Sequence, residues 1–589
     1  MNLSQALRLF HTVRHLQPVQ VLYRAKYSVR RRTRISERID GPVQTGGYAV
    51  APTAFAAGPV EYLGDKRWRF LNREGDIERG WNGPQYERLW LYNLHYFNYL
   101  HQQRRERHAD VLGSLIDEWI AGNPLGTGPG WEPYPLSLRI VNWIKWACSG
   151  MPLSRRAMSS LYLQARYLVQ RLEYHLLGNH LFANAKALVC AGLFFETVEA
   201  SEWLATGLGI LRREMTRQVL SDGGHFELSP MYHAIFVEDL LDIVNLSSGP
   251  DAHKRGPAAE SCRTLAREAL PRMLGWLRTM THPDGQIALF NDAAFGIARP
   301  YAVLEDYARR LGIAVEPLSP AHPLTSLDAS GYVRVERGDY VALFDVARIG
   351  PDYLPGHAHA DTLTFELSLA GQRLIVDAGT STYAIGEQRM HERSTAAHNT
   401  VTLGKQSSSD VWSAFRVGRR AYPVDVDIVP LACSSGAALH DAPTPHWHEG
   451  WPSMPRDIAN CWTVSAAHTG YLHLPGGITH RRRWHCYPDA IVIVDHLDSV
   501  NGGATDALRD AFATLRFAPG LDVAKEADSA ITISSQGKPV CRLEHNGTSS
   551  CIVDDFYHPQ FGVGELCKLV RLQFPTPTLV THLSFRIQA

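Results

Sequence analysis

Three short stretches of this 589-residue chain hold side chains that could act together chemically. "GNHLFANAKAL" places Asn179 and His180 behind a glycine. "DGGHFELSPMYH" holds His225, Glu227, Tyr232 and His233. "PGHAHADTLTFEL" sets His357 and His359 one residue apart, ahead of Asp361. An amide, a phenol and imidazoles, with no pair of carboxylates across a bond, do not suit ordinary glycoside hydrolysis. They suit β-elimination from a uronic acid. In that reaction the proton on C5 leaves, and a donor facing the sugar carboxylate stabilises the enolate-like charge. A base takes the proton and an acid protonates the oxygen departing from C4. Asn or a cationic His fits the first role, and Tyr or a neutral His fits the other two.

These groups need elements to position them. Ser229-Pro230 reads as an N-cap and first helical residue, which puts Tyr232 in the first turn with His233 beside it. Gly178-Asn179-His180 ends one helix and starts the next. In stacked helical hairpins such starts gather around a central cleft, so Asn179, His180 and Tyr232 converge there. The plainer readings are a cap at Asn179, interior histidines at 180 and 233, and a packed aromatic at 232. Glu227 either orients a neighbour or closes an ion pair.

If "GHAHAD" enters a strand, His357, His359 and Asp361 project to one side. Two imidazoles and a carboxylate suit a borderline divalent ion such as zinc. "QRLIVDAGT" ends in Asp377 on an adjacent strand, and "STAAHNTVTLG" places His398 at the start of another. His359, Asp377 and His398 then form a three-ligand site, with Asp361 as a turn or cap residue. A hydrogen-bonded turn at a sheet edge is the alternative. H-x-H-x-D also resembles the metal signature of metallo-β-lactamase-like hydrolases. Those folds alternate strands and helices, however, and Thr362 stands where a further His is expected.

The wider pattern divides the chain. Residues 1–80 read as a basic amphipathic helix and a Gly/Pro/Ala-rich arm. Residues 81–322 show apolar spacings of three and four, as in "PLSLRIVNWIKWACSG" and "MYHAIFVEDLLDIVNLSS", with short Gly/Pro links. From 323 to 589 alternation and β-branched residues take over, as in "YVRVERGDYVALFDVA" and "DAIVIVDHLD". The expected class is α+β and multidomain: an incomplete (α/α) toroid, then an antiparallel β-sandwich. Lys+Arg and Asp+Glu are both 59, which argues against a nucleic-acid partner. Nine cysteines, an odd number with no C-x-x-C, favour neither a disulfide framework nor a cysteine zinc site. No apolar run reaches transmembrane length, and the start lacks a signal peptide's apolar centre. A cytoplasmic location is expected, or a periplasmic or secreted one if a leader is removed.

The ordered set "GWEPYPLSLRIVNWIKW", "GNHLFANAKAL", "GGHFELSPMYH", "HPDGQIALFND", "GHAHADTLTFEL", "LIVDAGTSTY" and "RSTAAHNTV" resembles the heparinase II/III superfamily of polysaccharide lyases. The resemblance implies the toroid, the sandwich and β-elimination of an acidic, uronate-containing polysaccharide. It implies Asn179 as the carboxylate-neutralising amide, His180 and His357 as catalytic histidines, and Tyr232 as acid, or as base and acid. It implies His359, Asp377 and His398 as ligands of one divalent metal, zinc or manganese, with a structural role. Arg139, Asn142, His225, His233 and Arg393 are then expected to contact acidic sugars. Trp90 and Trp131 are read as either stacking platforms or core. The start, "RLFHTVRHLQPVQVLYRAKY", is similar to relatives encoded with bacterial capsule genes, so a bacterial exopolymer is an expected substrate alongside glycosaminoglycans.

Overall fold

The computed structural model describes residues 3–29, 37, 39, 51–249, 256–315, 323–430, 461–500, 510–575 and 577–585. Two helices, Leu3–Val13 and Pro18–Val29, come first. A small antiparallel sheet of Tyr62–Gly64, Arg67–Phe70 and Arg73–Asp76 lies within the segment read as an arm. Trp68 and Phe70 alternate inward on its middle strand and join the helical core.

Helices then dominate from Arg88–Tyr96 to Tyr301–Arg310. Their starts are set by local chemistry. Ser154, Thr197 and Ser229 each accept a hydrogen bond from a backbone N–H three residues on, at 3.0, 3.1 and 3.2 Å. Each satisfies one donor that the helix leaves open. The Gly178–Phe194 helix is buried along nearly its whole length, as its all-round apolar sequence requires. Helices Pro133–Cys148, Val198–Gln218 and Pro230–Ser247 pack around it. The fully buried tryptophans include Trp90, Trp119, Trp143, Trp146 and Trp203. Trp131 packs on Trp119 and Tyr167, so the core reading holds for it.

From Leu324 onward the chain is mostly strand. One sheet runs in the order Ser549–Tyr557, Glu565–Gln573, Ala511–Phe517, Gln372–Ile375, Phe365–Leu369, Tyr340–Asp345, Tyr332–Arg337, Leu324–Leu327, with Val401–Leu403 paired to Ala511–Phe517. The other runs Pro423–Pro430, Trp462–His468, Ile478–Cys486, Ala490–Ser499, Thr578–Ser584, Lys538–His545, Ala530–Ser535, Leu521–Ala527. One apolar cluster draws on both: Phe344, Phe365 and Leu515 from the first, and Val464, Trp484 and Ile493 from the second. None of the eight described cysteines forms a disulfide.

The strand Ile478–Cys486 shows how polar groups enter this core. Its two-residue period turns Ile478, His480, Arg482, Trp484 and Cys486 inward. Arg482 donates to both oxygens of Asp495, at 2.6 and 2.9 Å, and to the carbonyls of Leu363 and Asn399, at 2.8 and 2.5 Å. Burial opposes charge on Asp495, but Arg482 and His480 outweigh it and bring its carboxyl down to about 2. Arg482 thus ties one sheet to the loops that carry His359 and His398. Replacing it by methionine, Arg482→Met, leaves buried Asp495 with His480 alone and removes the donors to Leu363 and Asn399. The expected loss is about 3–5 kcal/mol of unfolding free energy in urea titration. A loss below about 1 kcal/mol would show that the tie is not holding the sheets.

Candidate active site

The sequence-predicted groups converge on one cleft of about 1830 Å³, lined by both the helical and the sheet-rich regions. Asn179 and His180 stand in the first turn of the Gly178–Phe194 helix, and Tyr232 in the first turn of Pro230–Ser247. His357 comes from a loop ahead of strand Phe365–Leu369. All four are only partly buried and face the cleft.

Their contacts interlock. The His357 ring stacks on Tyr232, with centroids 3.7 Å apart and planes 13° from parallel. His357 Nδ1 pairs with the buried Glu227 carboxylate through a very short contact. The other oxygen of Glu227 accepts from the Asn179 backbone N–H at 3.3 Å. Glu227 therefore joins the helix start to the sheet-side loop. Burial pushes its pKa up, but His357 pulls it down further, so the net shift is downward and the carboxylate is ionised. A carboxylate on Nδ1 favours the tautomer with its proton there, leaving Nε2 as the basic nitrogen. His180 Nδ1 lies 3.1 Å from Glu173 Oε1, and its ring rests against Tyr134. Burial disfavours the imidazolium, but Glu173 more than compensates, and the His180 pKa is raised. Burial, then Tyr383, holds the Tyr232 phenol well above its usual range. Its oxygen is 3.0 Å from that of Tyr383.

Gly178 makes this geometry possible. Its φ is +54°, and a Cβ there would stand 2.2 Å from Leu354 Cδ2 and 2.8 Å from Glu227 Oε1. Only a residue without a side chain lets Glu227 reach the helix start.

Two family models match the chain: the heparinase II/III N-terminus over residues 156–309, and the heparinase II/III-like C-terminal domain over 319–582. The chain belongs to the heparinase II/III superfamily. A heparin-sulfate lyase of Bacteroides stercoris is 28% identical over 40% of this chain and 37% of its own length. The FtsZ-localized protein C of Caulobacter vibrioides is 26% identical over 63% of this chain and 57% of its own length. The chain thus spans about half the length of the curated relatives it matches. A crystal structure of heparinase III aligns with TM-score 0.64 at 17% identity, covering 97% of this chain and 92% of the other. The shared fold is a helical N-terminal region followed by a sheet-rich C-terminal region.

Several sequence expectations for this heparinase II/III chain need correction. "GHAHAD" is a loop, not a strand, so its residues do not share a face. His357 turns to the cleft, while His359 is fully buried with Nε2 2.8 Å from Asp292 Oδ1. Asp361 is also buried; its carboxylate accepts from the Asn291 N–H at 3.1 Å, seventy residues away, and its carbonyl closes a turn with the Thr364 N–H at 2.8 Å, so it is a turn residue and caps no helix. Four of the five side chains expected to touch sugar lie in the interior. Arg139 donates to the carbonyl of Gly130 and lies over Trp119. Arg393 donates to the carbonyls of Ala358 and Ser413. His225 pairs with Gln218, and burial brings its pKa down to about 4. His233 stacks on Trp276, and burial brings it down to about 3. Asn142 does line the cleft, but both N–H groups of its amide are taken by Tyr96 O and Asn98 Oδ1. Tyr134, Glu173 and Tyr383 went unread. Tyr134 and Tyr383 sit in the quoted stretches "GWEPYPLSLRIVNWIKW" and "LIVDAGTSTY", whose tyrosines were the available signal.

Of the three expected metal ligands, Asp377 Oδ2 pairs with His398 Nδ1 at 2.8 Å, and the His359 and His398 ring centroids are 5.4 Å apart. Among the described residues, no group of three or more His, Cys, Asp or Glu side chains is arranged to hold a metal ion. His359 Nδ1 and His398 Nε2 are nevertheless buried without a hydrogen-bond partner.

The His180–Glu173 pair yields a pH prediction. The folded-state pKa lies above the usual 6.5, so the pair's stabilisation is complete below 6.5 and fades as pH rises through the raised value. The melting-temperature difference between the parent and His180→Gln is expected to be largest at the acid end and to shrink toward alkaline pH. A difference that grows with pH would contradict the pairing.

Proposed function

We propose that the protein is a polysaccharide lyase that cleaves a uronate-containing polymer by β-elimination, leaving unsaturated uronate ends. The carrying observation is the Tyr232–His357 stack beside Asn179 and His180 in one cleft. Asn179, with His180 held toward its cation by Glu173, neutralises the sugar carboxylate and so stabilises charge that grows as the C5 proton leaves. His357, fixed by Glu227 with Nε2 basic, accepts a proton. Tyr232, protonated at neutral pH, donates to the oxygen leaving C4, or serves as both base and acid. The glycosaminoglycans heparan sulfate, chondroitin and hyaluronan, and bacterial exopolymers, are the substrate classes. The name of the heparin-sulfate lyase relative supports the first of these.

The hydrolase alternative needs a water-binding metal open to substrate. His359 and Asp361 are turned away from the cleft and buried, which does not support it. A non-catalytic polysaccharide binder would not need a basic nitrogen stacked on a phenol.

Three finer readings accompany the proposal. The described helices from Arg88 to Arg310 curve as an incomplete toroid, supported by the gathering of their starts at one cleft. The two long sheets, between Leu324 and Ser584, stack as a sandwich, supported by their shared apolar cluster. A divalent ion, zinc or manganese, is held by His359, His398 and Asp377. The two orphaned buried imidazole nitrogens, His359 Nδ1 and His398 Nε2, support this in donor chemistry, and Asp377 holds the other nitrogen of His398. Its contribution is structural, fixing the loops on either side of His357.

Incubation with a panel of uronate polymers is expected to raise ultraviolet absorbance without net uptake of water. Tyr232→Phe should lower that rate by roughly 10²–10⁴-fold with an unchanged circular dichroism spectrum. Near-parent turnover by this variant would remove Tyr232 from the mechanism. For the metal, His398→Ala should lose bound zinc or manganese and melt at a lower temperature. Should the parent take up neither ion when loaded and measured by elemental analysis, the ligand assignment fails.

A further inference from the structure

The first two helices are amphipathic in the reverse of the usual sense. In Leu3–Val13 it is the polar side that meets the body. Arg8 pairs with Asp410 at 2.9 Å, and Thr12 donates to the Val417 carbonyl and accepts from the Trp412 indole N–H. In Pro18–Val29, Gln20 is buried and donates to the carbonyls of Leu176 and Tyr353, and the Tyr27 hydroxyl donates to the Leu172 carbonyl. The aliphatic sides point outward. Leu7 is 51% exposed, Phe10 60%, Leu22 63% and Val29 82%. Among the described residues, seven of the eighteen large apolar side chains that stand exposed fall within these two helices. A surface helix of a soluble domain normally presents the opposite face to water.

The two described helices carry Arg8, Arg24 and Lys26 and no Asp or Glu, in a chain whose overall charge is zero. Arg14, in the turn after the first helix, and Lys26, on the second, are exposed near the aliphatic stripe. No described helix is long and apolar enough to cross a membrane. Exposed aliphatic and aromatic side chains rimmed by cations are the chemistry of a helix lying in an interface, its apolar side among acyl chains and its cations at anionic headgroups. A hydrated polyanion would use the cations and leave Phe10, Leu22 and Val29 in water.

We propose that this helical hairpin docks the protein on an anionic lipid surface. The hairpin also lines one end of the cleft through Leu9, Thr12, Val13, Leu16, Gln20 and Arg24.

The test is co-sedimentation of the full chain with vesicles of phosphatidylcholine alone, and with about 30 mol% phosphatidylglycerol added. Binding is expected only to the anionic vesicles, and should weaken as salt rises. Phe10→Asp with Leu22→Asp should lower the bound fraction roughly tenfold, with an unchanged melting temperature. Arg14→Glu with Lys26→Glu, which leaves the apolar stripe intact, should weaken it too. Absence of binding to anionic vesicles would overturn the proposal, as would equal binding by the parent and the Phe10→Asp/Leu22→Asp protein. It would also fall if that variant kept vesicle binding but lost affinity for a uronate polymer or a self-associated state, because the stripe would then serve the polymer or a second copy of the chain.

Discussion

The site depends on one buried carboxylate, Asp292. Arg389 grips both of its oxygens, and His359 Nε2 contacts one of them, all with no exposure to solvent. The Asp292 N–H donates to the carbonyl of His357, and its own carbonyl accepts from the Ser229 hydroxyl, which also caps the helix bearing Tyr232. A single residue thus fixes the loop of His357 and the helix start of Tyr232. An ion pair this deep adds little net stability, but removing one partner costs several kcal/mol. Its value is in geometry. Rings stacked at 3.7 Å from different elements need a common anchor within a few tenths of an ångström.

Charge is managed by the same economy of partners. Each cleft imidazole has its own carboxylate, Glu227 for His357 and Glu173 for His180. Glu173 favours the His180 cation. Both carboxylates are shared: Glu227 also accepts from the Asn179 backbone N–H, and Glu173 from the Asn184 amide. A carboxylate held in this way fixes the orientation of its imidazole.

Much of this was legible in the sequence where the determining interaction is local. Ser229-Pro230 announces a helix start, and Gly178 permits the backbone turn that exposes Asn179 and His180. These are effects within three or four residues. The failures share a different cause. Arg139 and Arg393 look like surface cations, and their burial is intelligible only once Gly130, Ala358 and Ser413 turn carbonyls toward them. The two-residue spacing of His357 and His359 suggests a strand, but the Asn291 and Asp292 contacts bend this segment into a loop and send the two rings in opposite directions. Those contacts cross more than sixty residues of chain, and no local pattern contains them.

Exposure separates the histidines that spacing could not. His225, His233, His359 and His398 are essentially without solvent contact, and each has a fixed partner in Gln218, Met273 O, Asp292 or Asp377. His180 and His357 keep part of their surface open to the cleft and pair with glutamates that leave one nitrogen available. A ring sealed in the core can support a fold but is out of reach of a proton on a substrate in the cleft. The division falls along the boundary between the cleft and the core: the fold leaves His180 and His357 partly open and closes the other four away.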